Sequence, residues 1–326
     1  MNDITKILKT RIIDENTPIQ LISDPLIKTA NVNLLVKRED LNNKYFSGNK
    51  WHKLKYNLIN AKEKGYDKLL TFGGAFSNHI YAVAAAGRIF GFETIGIIRG
   101  EEYKQLNPTL SFARLQGMKF HYIDRKTYRD KYNKDLLNDF RQKFGNFYLI
   151  PEGGTNELAV KGVSDFVSKI NVDYDYICCS CGTGGTLAGI IEGVDHKRQI
   201  LGFSVLKGGE FLIKNVESLI NKNVTENFMN WKINLDYHFG GYAKINSRLT
   251  DFIERFEKEN NIPLEPIYTG KMVYGIYDLI FKGYFDKGKT ILAIHTGGLQ
   301  GLEGMKGKIN KIKALKLSNN KDFDFI

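Results

Sequence analysis

Three cysteines in 326 residues are too few for a disulfide framework. Cys178, Cys179 and Cys181 cluster as CCxC, and no Cys/His pair elsewhere completes a zinc set. On a strand the first two would point to opposite faces. No apolar run approaches the roughly 20 residues of a membrane span. The opening segment, MNDITKILKTRIIDEN, lacks the charged-then-apolar-then-small succession of a secretory signal. A GxxxxGK(S/T) loop is missing, as are an aromatic RNP motif and zinc-finger spacing. These absences lead us to expect a cytoplasmic, reducing setting, with no metal, no membrane and no nucleic acid among the partners.

Acidic residues are also in the minority, 36 against 47 Lys and Arg, so the net charge is +11. A basic balance can attract nucleic acid or anionic metabolites. The lysines, however, are spread along the chain and often sit beside Asp or Glu, as in KLKYNLINAKEKGYDK. Only MKGKINKIKALKLSNNK, near the end, is locally basic, and a solvated lysine-rich surface accounts for the pattern. The 42% hydrophobic content suffices for a buried core.

What is present is an alternation. Strand-like VNLLVKRE (32–39) is followed by a glycine turn and then by Trp51, Leu54, Leu58 and Ala61 at helical spacing. LLTF (69–72), TIGIIR (94–99), KFHYI (119–123) and FYLI (147–150) read as strands between helices, one of them a polar helix near 126–144. The second half repeats the theme with a helix over 156–170 and the strands YICCS (176–180), ILGFSV (200–205) and TILAIH (290–295). A last helix frays after about residue 310. This is α/β patterning with mostly parallel sheets flanked by helices. Ligands then bind beyond the carboxyl ends of strands. GGAFSN, CGTGGT and HTGG all follow strands, so three polar glycine-bearing loops are expected to converge on one edge.

Three motifs bear chemistry. In SGNKWHKL (47–54), Ser47, Gly48 and Asn49 make a turn, and Lys50 falls in the first helical turn. There the positive helix end and burial would lower an amine's pKa, as covalent carbonyl chemistry requires; an exposed surface lysine fits the same letters. CGTGGT (181–186) opens a helix after a strand. It reads equally as a cup for one phosphate or as a tight turn. It is not a clean GxGxxG fingerprint. GGAFSNH (73–79) sets Ser77, Asn78 and His79 at a helix start, able to hold a carboxylate or simply to cap.

Taken in order, SGNKWHKL, GGAFSNH, PEGGTN (151–156), CGTGGT, GGYAKIN (240–246), IYTGK (267–271) and HTGG (295–298) resemble the 1-aminocyclopropane-1-carboxylate (ACC) deaminase and D-cysteine desulfhydrase family. That family belongs to the fold type II, tryptophan-synthase-β-like pyridoxal-phosphate enzymes. The resemblance spans roughly residues 30–304. It implies a two-domain fold, with a large domain over 1–53 and 156–326 and a small domain over 54–155. It implies pyridoxal 5'-phosphate bound by Lys50 as a Schiff base, with Lys53 near the phosphate. Gly182, Thr183, Gly184, Gly185 and Thr186 form the phosphate cup. Asn78 bonds the 3′-oxygen, Tyr268 stacks on the ring and Thr296 meets the ring nitrogen. Ser77 and His79 hold the substrate carboxylate, Asn78 lies with them, and Tyr242 projects towards the substrate. Lys50, Ser77, Tyr242 and Tyr268 are the residues expected to serve catalysis, and a homodimer is the expected assembly.

The reaction expected is a lyase one: β-elimination of a small amino acid, D-cysteine giving pyruvate, sulfide and ammonia. Lys50 removes the Cα proton, and Ser77 or Tyr242 protonates the leaving group. Thr269 after the stacking tyrosine, and His79 after the Ser-Asn pair, resemble the desulfhydrase branch; the deaminase branch has Glu and Gln there. ACC deaminase is the rival within the class. A cofactor-holding or nucleic-acid-binding protein without catalysis is the rival outside it. Lys244 inside GGYAKIN, Tyr81 where the family has an arginine nearby, and the lysine-rich stretch 100–145 depart from the family at the pocket rim.

Overall fold

The computed structural model describes residues 16–102, 104–220 and 230–321; the opening segment weighed as a signal lies almost wholly outside them. Among the described residues ten strands form two sheets. The first sheet holds β1 (Ile19–Ile22), β2 (Asn33–Lys37), β7 (Tyr176–Cys181), β8 (Gln199–Ser204), β9 (Trp231–Asn234) and β10 (Thr290–Ile294), in the order β1-β2-β10-β7-β8-β9. Only the β1–β2 pair is antiparallel. The second sheet is parallel throughout. It orders β3 (Lys68–Gly73), β4 (Glu93–Arg99), β5 (Lys119–Ile123) and β6 (Tyr148–Ile150) as β5-β4-β3-β6.

Twelve helices are described: α1 (Pro25–Ala30), α2 (Asn49–Glu63), α3 (Asn78–Phe90), α4 (Pro108–Leu115), α5 (Arg125–Arg129), α6 (Lys134–Phe144), α7 (Glu157–Val167), α8 (Gly185–Gly193), α9 (Phe211–Leu219), α10 (Ser247–Asn260), α11 (Thr269–Phe281) and α12 (Leu302–Lys321). Most start where a short polar side chain takes up the open N–H groups, as Asp24, Ser77, Asn107, Asn156 and Asn246 do. The single polar helix expected near 126–144 is two. Asp130 and Asn133 turn the chain between α5 and α6, where the Asn133 side chain caps α6. β1, β9 and α1 have no counterpart in the sequence reading.

Strand alternation distributes the core. Cys178 packs with Leu34, Phe203, Ile291 and Ala293 under α10 and α11. Its neighbour Cys179 packs with Ile177, Leu292 and Ile294 under α7 and α8. Adjacent thiols thus lie on opposite faces of one sheet, as the two-residue period requires. The second sheet is covered likewise. Leu69 and Ile98 face α2 and α3, whereas Leu70, Phe72, Ile95 and Ile97 face Tyr128 and Phe140. With both faces buried, the parallel strands are apolar runs rather than alternating ones.

The glycine-bearing loops do not share one sheet edge as expected. Those after β7 and β10 leave the six-stranded sheet, and the one after β3 leaves the four-stranded sheet. They nevertheless line one cavity.

Candidate active site

The cavity encloses about 790 Å3, within the usual range for a cofactor or ligand site. Of the residues singled out from sequence, Lys50, Lys53, Ser77, Asn78, His79, Gly182, Thr183, Gly184, Thr186, Tyr242, Tyr268 and Thr296 all line it. Gly185 lies just behind. A Cβ there would come within 3.0 Å of Thr155 Oγ1 and 3.2 Å of Lys53 Nζ.

Lys50 is placed by a tightly built turn. Gly48 adopts φ +72°, and a Cβ at that position would sit 1.8 Å from the Thr296 carbonyl oxygen, so no other residue fits. Asn42 fastens the turn, donating to the Gly48 oxygen (2.8 Å) and accepting from its nitrogen (3.1 Å). Below it the buried Glu39 carboxylate receives Asn42 and Thr17 and lies 2.7 Å from His52 Nε2. Burial works to raise the Glu39 pKa, but His52, Thr17 and Lys37 outweigh it and hold the group below its ordinary value. Lys50 Nζ donates to Asn49 Oδ1 at 2.7 Å. Burial lowers its pKa to about 8, although the Glu265 charge pulls the other way. An amine near 8 is a far better nucleophile at neutral pH than one at its ordinary 10.5.

The inner end is a cup. Gly184 takes φ +85° and opens α8 with no side-chain cap, which leaves the first N–H groups of the helix without an internal partner. Around it Asn49 Nδ2 donates to Thr186 Oγ1 (2.7 Å), Lys53 Nζ donates to Thr155 Oγ1 (2.9 Å), and the Thr155 and Thr183 hydroxyls are 2.6 Å apart. Open N–H groups, a lysine and hydroxyls are the donor set for a phosphate, and glycine keeps the approach clear. A phosphate therefore fits. Burial and the Lys50 charge push the Lys53 pKa well down, which an incoming dianion would reverse.

Tyr268 forms one wall. Its edge would be 3.0 Å from a Cβ at Gly182, so only glycine lets the ring lie against the cup. Sequence reasoning missed the residue that holds Tyr268. The buried Glu265 carboxylate accepts the N–H groups of Ile267, Tyr268 and Thr269 at 2.6–2.8 Å. Thr269, which stands where the deaminase branch has Glu, does not line the cavity. Its hydroxyl bonds Glu265 instead. The lining also carries the hydroxyls of Ser180 and Thr296, 3.3 Å apart. Glu152, at the rim, is the one carboxylate lining the cavity among the described residues.

Ser77 caps α3, accepting from the N–H groups of His79 and Ile80. His79 is 2% exposed. The Thr71 hydroxyl donates to the Ile150 oxygen and so accepts from His79 Nε2, 2.8 Å away, while the Pro151 carbonyl acts on the same ring. Burial, with Lys53 and Lys50 nearby, holds its pKa far below the ordinary value and the ring neutral. Tyr242 packs edge-on against Tyr268 at 5.9 Å between centroids. It is carried on a loop in which Phe239 and Ala243, as well as two glycines, have positive φ. Lys271 holds this loop, donating to the carbonyls of His238 and Gly241 at 2.8 Å each.

A lysine on a glycine-built turn, facing an anion cup across an aromatic wall inside a two-sheet α/β fold, defines a fold type II pyridoxal-phosphate enzyme. A family model described as "Pyridoxal-phosphate dependent enzyme" matches residues 12–297, and the chain belongs to that family, in its ACC deaminase and D-cysteine desulfhydrase group. A Pyrococcus furiosus protein provisionally named as an ACC deaminase is 31% identical over 91% of this chain and 94% of its own. The bifunctional D-cysteine desulfhydrase/ACC deaminase of Arabidopsis thaliana is 30% identical over 82% of this chain and 73% of its own. The crystal structure of an ACC deaminase homologue superposes with a TM-score of 0.82, at 29% identity, covering 96% of this chain and 99% of that one. No helix among the described residues is long and apolar enough to cross a membrane.

Proposed function

We propose that the chain catalyses β-elimination from a small amino acid in the manner of a D-cysteine desulfhydrase. The observation that carries this reading is the hydroxyl pair of Ser180 and Thr296 in the cavity lining, 3.3 Å apart, with neither hydroxyl bonded to a carboxylate among the described residues. When bound, pyridoxal phosphate supplies an electron sink for a Cα carbanion. A hydroxyl at the ring nitrogen leaves that sink weaker than a carboxylate would. Expulsion of a good leaving group needs less help than opening a cyclopropane ring.

In this reading Lys50 holds the cofactor and then accepts the Cα proton. Lys53, Thr183, Thr186 and the backbone of Gly182–Gly185 hold its phosphate. Tyr268 covers the ring, Asn78 bonds its 3′-oxygen and Thr296 its nitrogen. The α-carboxylate rests on Ser77 and the start of α3. His79 backs them as a neutral ring rather than clamping the anion, because its Nε2 proton is committed to Thr71. Tyr242 is placed to protonate the leaving group. A homodimer in a reducing compartment completes the reading, the latter supported by three buried free thiols.

The test is borohydride reduction of the holoenzyme followed by peptide mass mapping. A pyridoxyl adduct on Lys50 is expected, and its absence would overturn the cofactor assignment. Both enantiomers of cysteine, together with ACC, are then assayed for 2-oxo acid and sulfide. Faster 2-oxobutanoate release from ACC than pyruvate release from D-cysteine would move the chain to the deaminase side, the reading that the names of the relatives favour.

A further inference from the structure

The loop that carries Tyr242 has a conformation its own sequence does not favour. Phe239, Gly240, Gly241 and Ala243 all have positive φ, from +53° to +118°. Phenylalanine and alanine rarely adopt that region, and they persist there only where the surroundings over-determine the backbone. Local bonds supply part of the hold. The Gly240 N–H donates to His238 Nδ1, the Gly241 N–H to the His238 oxygen and the Lys244 N–H to the Gly241 oxygen. The Phe239 ring meets Tyr274 of α11 edge-on at 5.0 Å. At the other end of the loop Lys308 donates to the Ala243 oxygen, at 3.3 Å and on the surface.

The remaining hold is a buried lysine. Lys271 has no exposed surface, and its Nζ donates to the oxygens of His238 and Gly241 at 2.8 Å each. Two features show that it does not serve the helix it stands on. It lies in the first turn of α11, where the helix end is positive and a cation is unfavourable. Burial also penalises its charge and lowers its pKa to about 8, against the pull of Glu265. What its place does provide is a register. Tyr268 opens α11 and walls the cavity, and Lys271 reaches the loop from the same turn, three residues on. The Tyr242 and Tyr268 hydroxyls are hydrogen-bonded, and their rings meet edge-on. One helix start thus fixes both rings.

We propose that Lys271 is a positioning residue for proton delivery, setting the Tyr242 hydroxyl at the leaving group through its two bonds to loop carbonyls. This rests on the β-elimination reading and on the part Tyr242 takes in it. In that step the Cβ–S bond breaks with its electron pair on sulfur, and the phenol proton passes to the sulfur. Hydrogen sulfide leaves, and the phenolate recovers a proton from water. A chloride leaving group departs with its pair as the anion and needs no proton. A residue that acts only through Tyr242 therefore matters for sulfide and not for chloride. A scaffold residue matters for both.

The test compares the holoenzyme with Lys271→Met, which roughly keeps the volume and removes the donors. Both carbonyls retain a backbone N–H partner in that variant, so the loop keeps bonds of its own. Pyruvate release is followed from both enantiomers of cysteine and of β-chloroalanine. On cysteine kcat should fall at least about tenfold with KM nearly unchanged, while β-chloroalanine turnover changes by less than about twofold. Tyr242→Phe should show the same split, and the double variant should be no slower than Tyr242→Phe alone. In the apo protein, amide hydrogen exchange over residues 238–244, read by mass spectrometry, should speed up in Lys271→Met. Equal losses on the two substrates, additive losses in the double variant, or unchanged exchange would each overturn the assignment and leave β-elimination standing. No pyruvate from either substrate with the wild type would instead sink β-elimination, and this assignment with it.

Discussion

The two ends of the cavity are built on opposite plans. At the inner end, backbone does the shaping: Gly48, Gly182, Gly184 and Gly185 bring main chain close, and the side chains present are bonded to one another. At the outer end, the long cationic side chains of Arg99 and Arg125 reach in from the ends of β4 and β5, and the Tyr128 ring steadies Arg99 and Lys131. The inner plan costs conformational freedom and gives fixed geometry, which covalent chemistry demands. The outer plan leaves backbone untouched and lets specificity drift by side-chain replacement.

The contrast can be broken or sharpened by substitution. Lys50→Ala should have the largest effect, lowering turnover by at least about a thousandfold, as loss of both a covalent anchor and a proton acceptor would. Pyruvate release and the visible absorbance of purified protein check it; retention of both would refute the division of labour.

The same change has a stability consequence. Lys50 titrates near 8 when folded and near 10.5 when unfolded. Below about 8 the folded state therefore carries the cost of a charged, half-buried amine. That cost fades as pH rises from 8 to 10.5, because the unfolded chain binds the extra proton there. Apo Lys50→Ala should then exceed apo wild type in stability by about 3 kcal/mol at pH 7, with the gap narrowing at pH 10. Urea titration at the two pH values measures it; a gap that widens with pH contradicts the linkage.

Gly184→Ala probes the cup. Positive φ costs an alanine about 1 kcal/mol, and the new methyl would meet Val216 Cγ2 at 2.9 Å. We expect roughly tenfold weaker cofactor binding in an absorbance titration. The smallest effect belongs to the rim. Arg99→Gln should shift folding stability by no more than about 0.5 kcal/mol, read by chemical denaturation. A larger loss would mean that the outer wall is as much a part of the scaffold as the cup.

The same contrast explains what could be read in advance. The inner end was legible because a helix start that must approach an anion, or a turn that must pass under Thr296, leaves glycine as the only choice, and glycine clusters stand out in a sequence. Lys50, Ser77, Tyr268 and Thr296 ride on such loops. Sheet architecture was legible for the same physical reason: strands buried on both faces are apolar runs. The antiparallel β1 was not, because an edge strand of four residues with one buried side chain carries no pattern. Nor was the break between α5 and α6, where polar residues suit helix and turn equally. Arg99, Arg125 and Glu265 were overlooked because single charged residues look alike on paper. Glu265, just ahead of IYTGK, is marked only by the three N–H groups that converge on it in the fold. Thr269 was read as a marker of the desulfhydrase branch from its place after Tyr268, whereas the start of α11 turns its hydroxyl to Glu265.

The final helix, finally, is more than a trailing end. Lys313 and Lys316 pair with Glu254 and Asp251 on α10, and Lys308 donates to the Ala243 carbonyl, one residue past Tyr242. The basic stretch that looked like a loose tail is a splint that ties α10 to the loop carrying Tyr242. Truncation of this helix would therefore be felt at the Tyr242 loop through Lys308.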